Sequence, residues 1–321
     1  MASSRLWKPR AARGFRSLAA TSSADSGDSP IEEAAKALAP TPLVPTVVAL
    51  GFAVAAGANA IAARIAAGTR AAIVIPLDDA GWVTSGVALP EWDGRSLNGH
   101  VPLVPGAPDA ELLLVLASTT DGVVLVEVQP GSAGITAEAE QPQDLTAVVG
   151  SVAFTCAPGE VVADGEQLRR ALTEARCRAL LAVAADSVGV SARCLAMAVQ
   201  WAGEREQFGR PIGSFQAVAH PCADMLVTLE AARSQVLAAS EADELREADC
   251  MMAAAAALDA AVFAAERSIQ IHGGIGFTWE HPAHLLLRRA RVNAVMVGRP
   301  EALRDQAVLK LMDERSLTHQ Y

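Results

Sequence analysis

Between residues 166 and 205 apolar positions recur every three or four residues with no proline to interrupt them. That period predicts one helix of about 60 Å, too long to stand alone. Residues 215–241, 246–272 and 281–297 repeat the pattern, and a last helix runs from Pro300 to about Arg315 with proline in its first turn. Residues 166–316 are therefore read as an antiparallel bundle of four or five helices. Upstream, Ile31–Leu38 opens after Ser29-Pro30, and residues 46–67 form an apolar helix or helix pair closed by Gly68. From residue 71 the pattern changes to short apolar runs, 71–76, 112–117, 123–128 and 147–154, with Asp121-Gly122 turning between the middle two. Residues 71–165 are expected to be a small β domain, a barrel or a sandwich. The fold class is α+β, with helices at 31–70, a middle β domain and a C-terminal helical bundle. Residues 1–30 are expected to be a disordered tail.

Composition sharpens this. Hydrophobic residues make up 51% of the chain but aromatic residues only 4%, so Ala, Val and Leu build the core. The net charge of −10 argues against a nucleic-acid partner, which needs a basic face. The five cysteines form no C-x-x-C pair and have no His at metal-ligand spacing, so no metal is expected and they read as free thiols in a reducing cytoplasm. Residues 1–24 carry Arg5, Lys8, Arg10, Arg13 and Arg16 and no acid, a pattern shared by transit peptides and basic tails. Residues 43–62 have the length of a membrane span, but Pro45, Gly51, Gly57 and Asn59 make them a buried core helix instead, and no membrane partner is expected.

Two stretches carry candidate chemistry. Arg205-Glu206-Gln207-Phe208-Gly209-Arg210-Pro211 ends the long helix, and Gly209 reads as its stop. Arg205 there either answers the helix dipole or offers a guanidinium to a pyrophosphate, with Gln207 and Gln216 offering amides to an adenine or ribose. Gln270-Ile271-His272-Gly273-Gly274-Ile275-Gly276 ends a later helix. Its glycines permit either a close ligand approach or a tight helix–helix corner.

Together and in this order, on a β domain followed by a bundle, the two stretches resemble the acyl-CoA dehydrogenase flavoproteins. The resemblance covers residues 31–312 and is best from Arg205 to Arg289. It implies a truncated N-terminal helical domain at 31–70, FAD as cofactor and an acyl-CoA substrate. It also implies a homo- or hetero-oligomer built as a dimer of dimers, with an electron-transfer flavoprotein as electron acceptor. Arg205 would meet the FAD pyrophosphate, and Gln207, Phe208 and Gln216 the adenosine half. Gln270, Gly273 and Gly274 would meet the ADP portion of a flavin held mainly by a neighbouring protomer.

The departures fall on the other end of the flavin. The loop expected to hold its pyrimidine is Pro76-Leu77-Asp78-Asp79-Ala80-Gly81-Trp82, where only Gly81 and the acidic character are retained. A second flavin-facing stretch is Leu103-Val104-Pro105-Gly106, where Pro105 has no N–H to donate. The two positions of the family's catalytic glutamate fall on Val297 and Ala179, neither of which accepts a proton, so no catalytic residue is assigned. Glu174, Asp186 and Glu280 are the nearby acids. His281 and His284, an i, i+3 pair, are expected to cap or to face solvent.

Overall fold

The structure, a computed structural model, describes residues 29–84 and 89–318; the expected tail lies almost wholly outside them. The chain divides into two compact units, one containing residues 40–182 and the other residues 29–39 with 183–318.

Pro30–Lys36 (α1) belongs to the second unit, although it comes first in the chain. In the first unit the apolar run after residue 42 becomes two helices, Leu43–Ala55 (α2) and Asn59–Ala66 (α3), broken where Gly57 takes φ +70°. Ten strands follow: Ala71–Val74 (β1), Leu77–Asp78 (β2), Gly81–Trp82 (β3), Glu91–Trp92 (β4) and Ser96–Pro105 (β5), then Leu112–Thr119 (β6), Gly122–Val128 (β7), Ile135–Ala139 (β8), Val149–Pro158 (β9) and Glu160–Asp164 (β10). Eight of them form one sheet in the order β10-β7-β6-β4-β5-β9-β8, with β1 parallel to β6, while β2 and β3 make a separate hairpin. The unbroken apolar run Leu112–Ala117 has a simple cause in the period of two. Leu112, Leu114 and Leu116 pack under α2, α3 and the start of the long helix, whereas Leu113, Val115 and Ala117 face a core made by β5, β7 and β9.

Gly165–Glu204 (α4) is a single helix of 40 residues, as its unbroken period predicts. Its second half belongs to the bundle unit with Gln216–Glu241 (α5), Glu247–His272 (α6), Ala283–Met296 (α7) and Pro300–Thr318 (α8). By length and composition α4 and α6 pass for membrane spans, yet most of each apolar window is buried within the protein. Alanine makes the close packing possible: α6 alone buries Ala253, Ala254, Ala255, Ala257, Ala260, Ala261, Ala264 and Ala265.

α1 is held to this bundle by three features. Ile31 and Ala35 are fully buried. A Cβ on Gly189 of α4 would lie 2.5 Å from the Glu32 carbonyl oxygen and 2.7 Å from the Ala35 Cβ, so the two backbones touch where only glycine fits. Buried Glu32 is paired with Arg233 of α5 at 3.3 Å.

Candidate functional site

The sequence places a helix stop at Gly209, and here the structure differs. α4 ends at Glu204, and the chain turns through a small hairpin in which Glu206–Gln207 (β11) pairs with Arg210–Pro211 (β12). Phe208 and Gly209 form its two-residue tip with φ +54° and +77°. Positive φ at both central residues is the geometry that suits the twist of a tight hairpin, and a side-chain-bearing residue adopts it at a cost. The hairpin is clipped to the helix end, because the Arg205 N–H donates to the Trp201 carbonyl at 2.9 Å and the Ile212 N–H to the Arg205 carbonyl at 2.8 Å.

The result is a presented set of side chains. Arg205, Gln207, Phe208 and Gln216 are all exposed, Phe208 at 93%. Among the described residues the Arg205 guanidinium has no protein partner. Gln207 folds its amide onto the Glu206 carbonyl at 2.7 Å. Phe208 meets Phe215 edge-on at 6.1 Å, and Arg210 lies 4.1 Å above the Phe215 ring. Gln216 is the first residue of α5.

The second stretch sits where α6 ends. Gly273 takes φ +63° and ψ −138°, a conformation open to glycine almost alone, and the chain continues through a 3-10 turn over Gly273–Phe277. Gln270, Gly273 and Gly274 are exposed, and a Cβ at either glycine would meet nothing within 4 Å. Gly276 is different: its Cβ would lie 3.0 Å from the Ile269 carbonyl oxygen, so it serves the corner itself.

Behind this turn lies a cluster that the sequence did not reveal. His272, 5% exposed, stacks on Trp201 of α4 with ring centroids 5.6 Å apart and on His281 at 4.2 Å. Its Nδ1–H donates to the Ser268 carbonyl at 2.7 Å. His281 precedes α7 rather than sharing its face, and its Nδ1 accepts the Ala283 N–H at 3.3 Å, the capping role expected of it. His284 donates from Nδ1 to the His281 carbonyl at 2.9 Å. Burial, then His272, Arg193 and His284, hold the His281 imidazole below its usual pKa. The only sequence signal for this cluster was the place of His272 just before the glycines.

The candidate positions for a base are accounted for one by one. Val297 caps the end of α7 and Ala179 lies within α4, and both are buried. The carboxylate of Glu174 is engaged by Arg178. Asp186 is committed on both oxygens: Arg289 donates from Nε at 2.9 Å and from Nη2 at 2.5 Å, and Asn293 adds a third bond at 2.7 Å. Glu280 is exposed.

In the first unit the β2–β3 hairpin turns through Asp79-Ala80, with the Ala80 N–H held by the Asp78 carboxylate at 2.8 Å and its carbonyl 3.4 Å from Arg176 of α4. Leu103–Pro105 is the end of β5, and Gly106 turns away with φ +76° against Pro45 of α2. The donor types on the two stretches suit the adenosine end of a dinucleotide. An unpaired guanidinium, exposed amides and open glycine backbone are what a pyrophosphate and an adenosine require.

Comparison with known proteins agrees with this architecture. Residues 167–311 match the family described as acyl-CoA dehydrogenase, C-terminal domain. The acyl-CoA dehydrogenase IpdE2 of Mycobacterium tuberculosis is 35% identical over 261 residues, 73% of this chain and 81% of that protein. Among solved structures, the Tcur3481–Tcur3483 steroid ACAD variant superposes with a TM-score of 0.77 at 25% identity, covering 97% of this chain and 89% of that one. The ChsE4–ChsE5 complex from Mycobacterium tuberculosis shares the fold, with a TM-score of 0.76 at 22% identity over 95% of this chain and 87% of that one.

This chain belongs to the acyl-CoA dehydrogenase family, oxidoreductases that use FAD and act on CH–CH bonds of acyl-CoA thioesters.

Proposed function

We propose that this chain binds FAD through two surfaces and works as a subunit of an oligomeric acyl-CoA dehydrogenase in the cytoplasm. In this reading Arg205 binds the FAD pyrophosphate, and Gln207, Phe208 and Gln216 line its adenosine half. Gln270, Gly273 and Gly274 meet the ADP portion of a flavin held mainly by a neighbouring protomer. The observation that carries the reading is the Arg205 guanidinium, exposed and, among the described residues, without a protein partner beside a hairpin tip held at positive φ. A strained, outward-facing aromatic residue next to an unpaired cation is costly to keep unless something binds there. Bound FAD supplies the two-electron acceptor for α,β-dehydrogenation, and an electron-transfer flavoprotein is the acceptor in turn.

A second reading rests on a separate observation, the apolar side chains at Val297 and Ala179. A chain with no carboxylate at either place suits a subunit that completes the flavin site of a catalytic partner. The ChsE4–ChsE5 complex, a solved structure of this fold, is by its name an assembly of two components, which supports a hetero-oligomer.

One experiment separates the readings: flavin content and oligomer mass, measured after gel filtration of the chain expressed alone and then with its genomic neighbour. Full FAD occupancy in a homo-oligomer supports the first reading. Flavin that appears only with the neighbour supports the second. No flavin in either preparation sinks both.

A further inference from the structure

The Gly273-Gly274 turn has no side chains with which to hold its own shape. What holds it is the residue before it. His272 is the last residue of α6, is buried, and is fixed on three sides: by the Ser268 carbonyl at Nδ1, by the Trp201 ring and by the His281 ring. Through Trp201 this clamp reaches α4 one turn before Arg205, so one ring stack stands behind both proposed adenosine-side surfaces.

We propose that His272 is a positioning residue for the Gly273-Gly274 turn, and that its ring contact with His281 makes the turn's grip on a cofactor sensitive to acid. The cofactor half of this statement rests on the FAD reading above.

The argument is one of proton places. The His272 Nδ1 proton is already given to a carbonyl, and the His281 Nδ1 lone pair already receives the Ala283 N–H. A proton taken up by His281 at Nδ1 breaks that capping bond and sets an N–H against an N–H. The charge it brings faces Arg193 from α4, His272 from α6 and His284 from α7, and among the described residues none of the three imidazoles has a salt bridge to a carboxylate. The Nε2 of His284 is likewise buried without a hydrogen-bond partner, so it offers the charge no relief. The His281 ring, 4.2 Å from that of His272, must turn to relieve this N–H to N–H clash. Burial and these same neighbours already depress the His281 pKa, which agrees with a His281 imidazole held neutral. Separation of the rings releases His272, and with it the glycine turn.

The test uses the full chain in its native oligomer, with FAD as ligand and with Trp201 as a reporter that needs no ligand. Retained FAD and tryptophan emission are followed from about pH 8 to pH 5, the range in which histidines charge. Trp201→Phe serves as the emission blank. Wild-type protein is expected to lose FAD and to change Trp201 emission in one shared acid window. His281→Asn keeps an acceptor oxygen for the Ala283 N–H but cannot charge, so both profiles should flatten. His272→Ala should weaken FAD binding about five- to tenfold at pH 8, the scale of coupling carried by a residue that touches no ligand. Wild-type retention that is flat across the range, or an unchanged acid profile in His281→Asn, overturns the proposal. Should the protein bind no FAD at any pH, the cofactor reading falls. The ring-pair device is then judged on emission alone, standing if Trp201 responds in wild type but not in His281→Asn and falling otherwise.

Discussion

Asp186 and Arg289 meet side by side within the bundle, 103 positions apart in sequence, with Nε–Oδ2 at 2.9 Å and Nη2–Oδ1 at 2.5 Å. The pair ties α4 to α7, and Asn293, one turn on, joins both Asp186 and the Ser187 hydroxyl. Both ions are buried. Removing one is therefore worse than removing both. Asp186→Ala should destabilise the fold by about 3–5 kcal/mol, whereas Asp186→Leu with Arg289→Met should recover most of that loss. Urea denaturation of the three proteins gives the comparison, and equal losses in the single and double variants would refute it.

Gly189 marks the closest approach of α1 and α4. Gly189→Ala drives a methyl group into the Glu32 carbonyl and the Ala35 Cβ, neither of which is a flexible chain end. A loss of roughly 1–3 kcal/mol is expected from such overpacking. The midpoint of thermal unfolding should fall, and an unchanged midpoint would mean that α1 is free to retreat.

Gly273 and Gly274 differ in backbone although both face open space. Gly273→Ala forces a side chain into φ +63° with ψ −138°, at roughly 1–3 kcal/mol. Gly274 has no positive φ, so Gly274→Ala should leave stability unchanged. If both glycines touch FAD, both variants lose flavin, but only the first loses stability.

Arg205→Ala should leave folding intact, since among the described residues the guanidinium has no protein partner to lose. It should weaken FAD retention by about 1.5–3 kcal/mol, the scale of a hydrogen bond to a charged group. Unchanged flavin content in the assembled oligomer would remove Arg205 from the site.

The depressed pKa of His281 has a consequence for stability apart from any ligand. The unfolded chain binds this proton near the ordinary value of 6.5, and the folded chain only at lower pH. Its contribution is thus fully present above pH 6.5 and is lost as pH falls through the folded value. Wild type should lose stability faster than His281→Asn over that interval, as read by urea midpoints in a pH series.

Much of the fold was legible because the sequence marks it plainly. The helices at 165–204, 216–241, 247–272 and 283–296 lie within two residues of the expected limits, since each has a clear period and a glycine, proline or polar stop. The strands at Leu112–Thr119 and Gly122–Val128 were equally plain. β5 was not read as a strand, because its pairing with β9 shifts register twice and Asn98, Gly99 and His100 interrupt its apolar positions. The hairpin tip was mistaken for a helix stop, since Gly209 serves either geometry and the positive φ of Phe208 leaves no trace in composition. Partnerships across long separations, such as Asp186 with Arg289 and Trp201 with His272, were closed to single-sequence reasoning for the same physical reason. Periodicity reports which face of a helix is buried, not what it is buried against.

Glu32 and Arg233, the ion pair that helps hold α1, are 201 positions apart. During synthesis α1 leaves the ribosome well before its partners in α4 and α5. At about 5–20 residues per second, Arg233 follows Glu32 by roughly 10–40 s. For that interval Ile31 and Ala35 have no bundle to enter, while residues 40–182 already have their own core to build. Helix α1 is thus seated only after its partner helices have emerged, and until then its apolar side chains are open to chaperones and proteases.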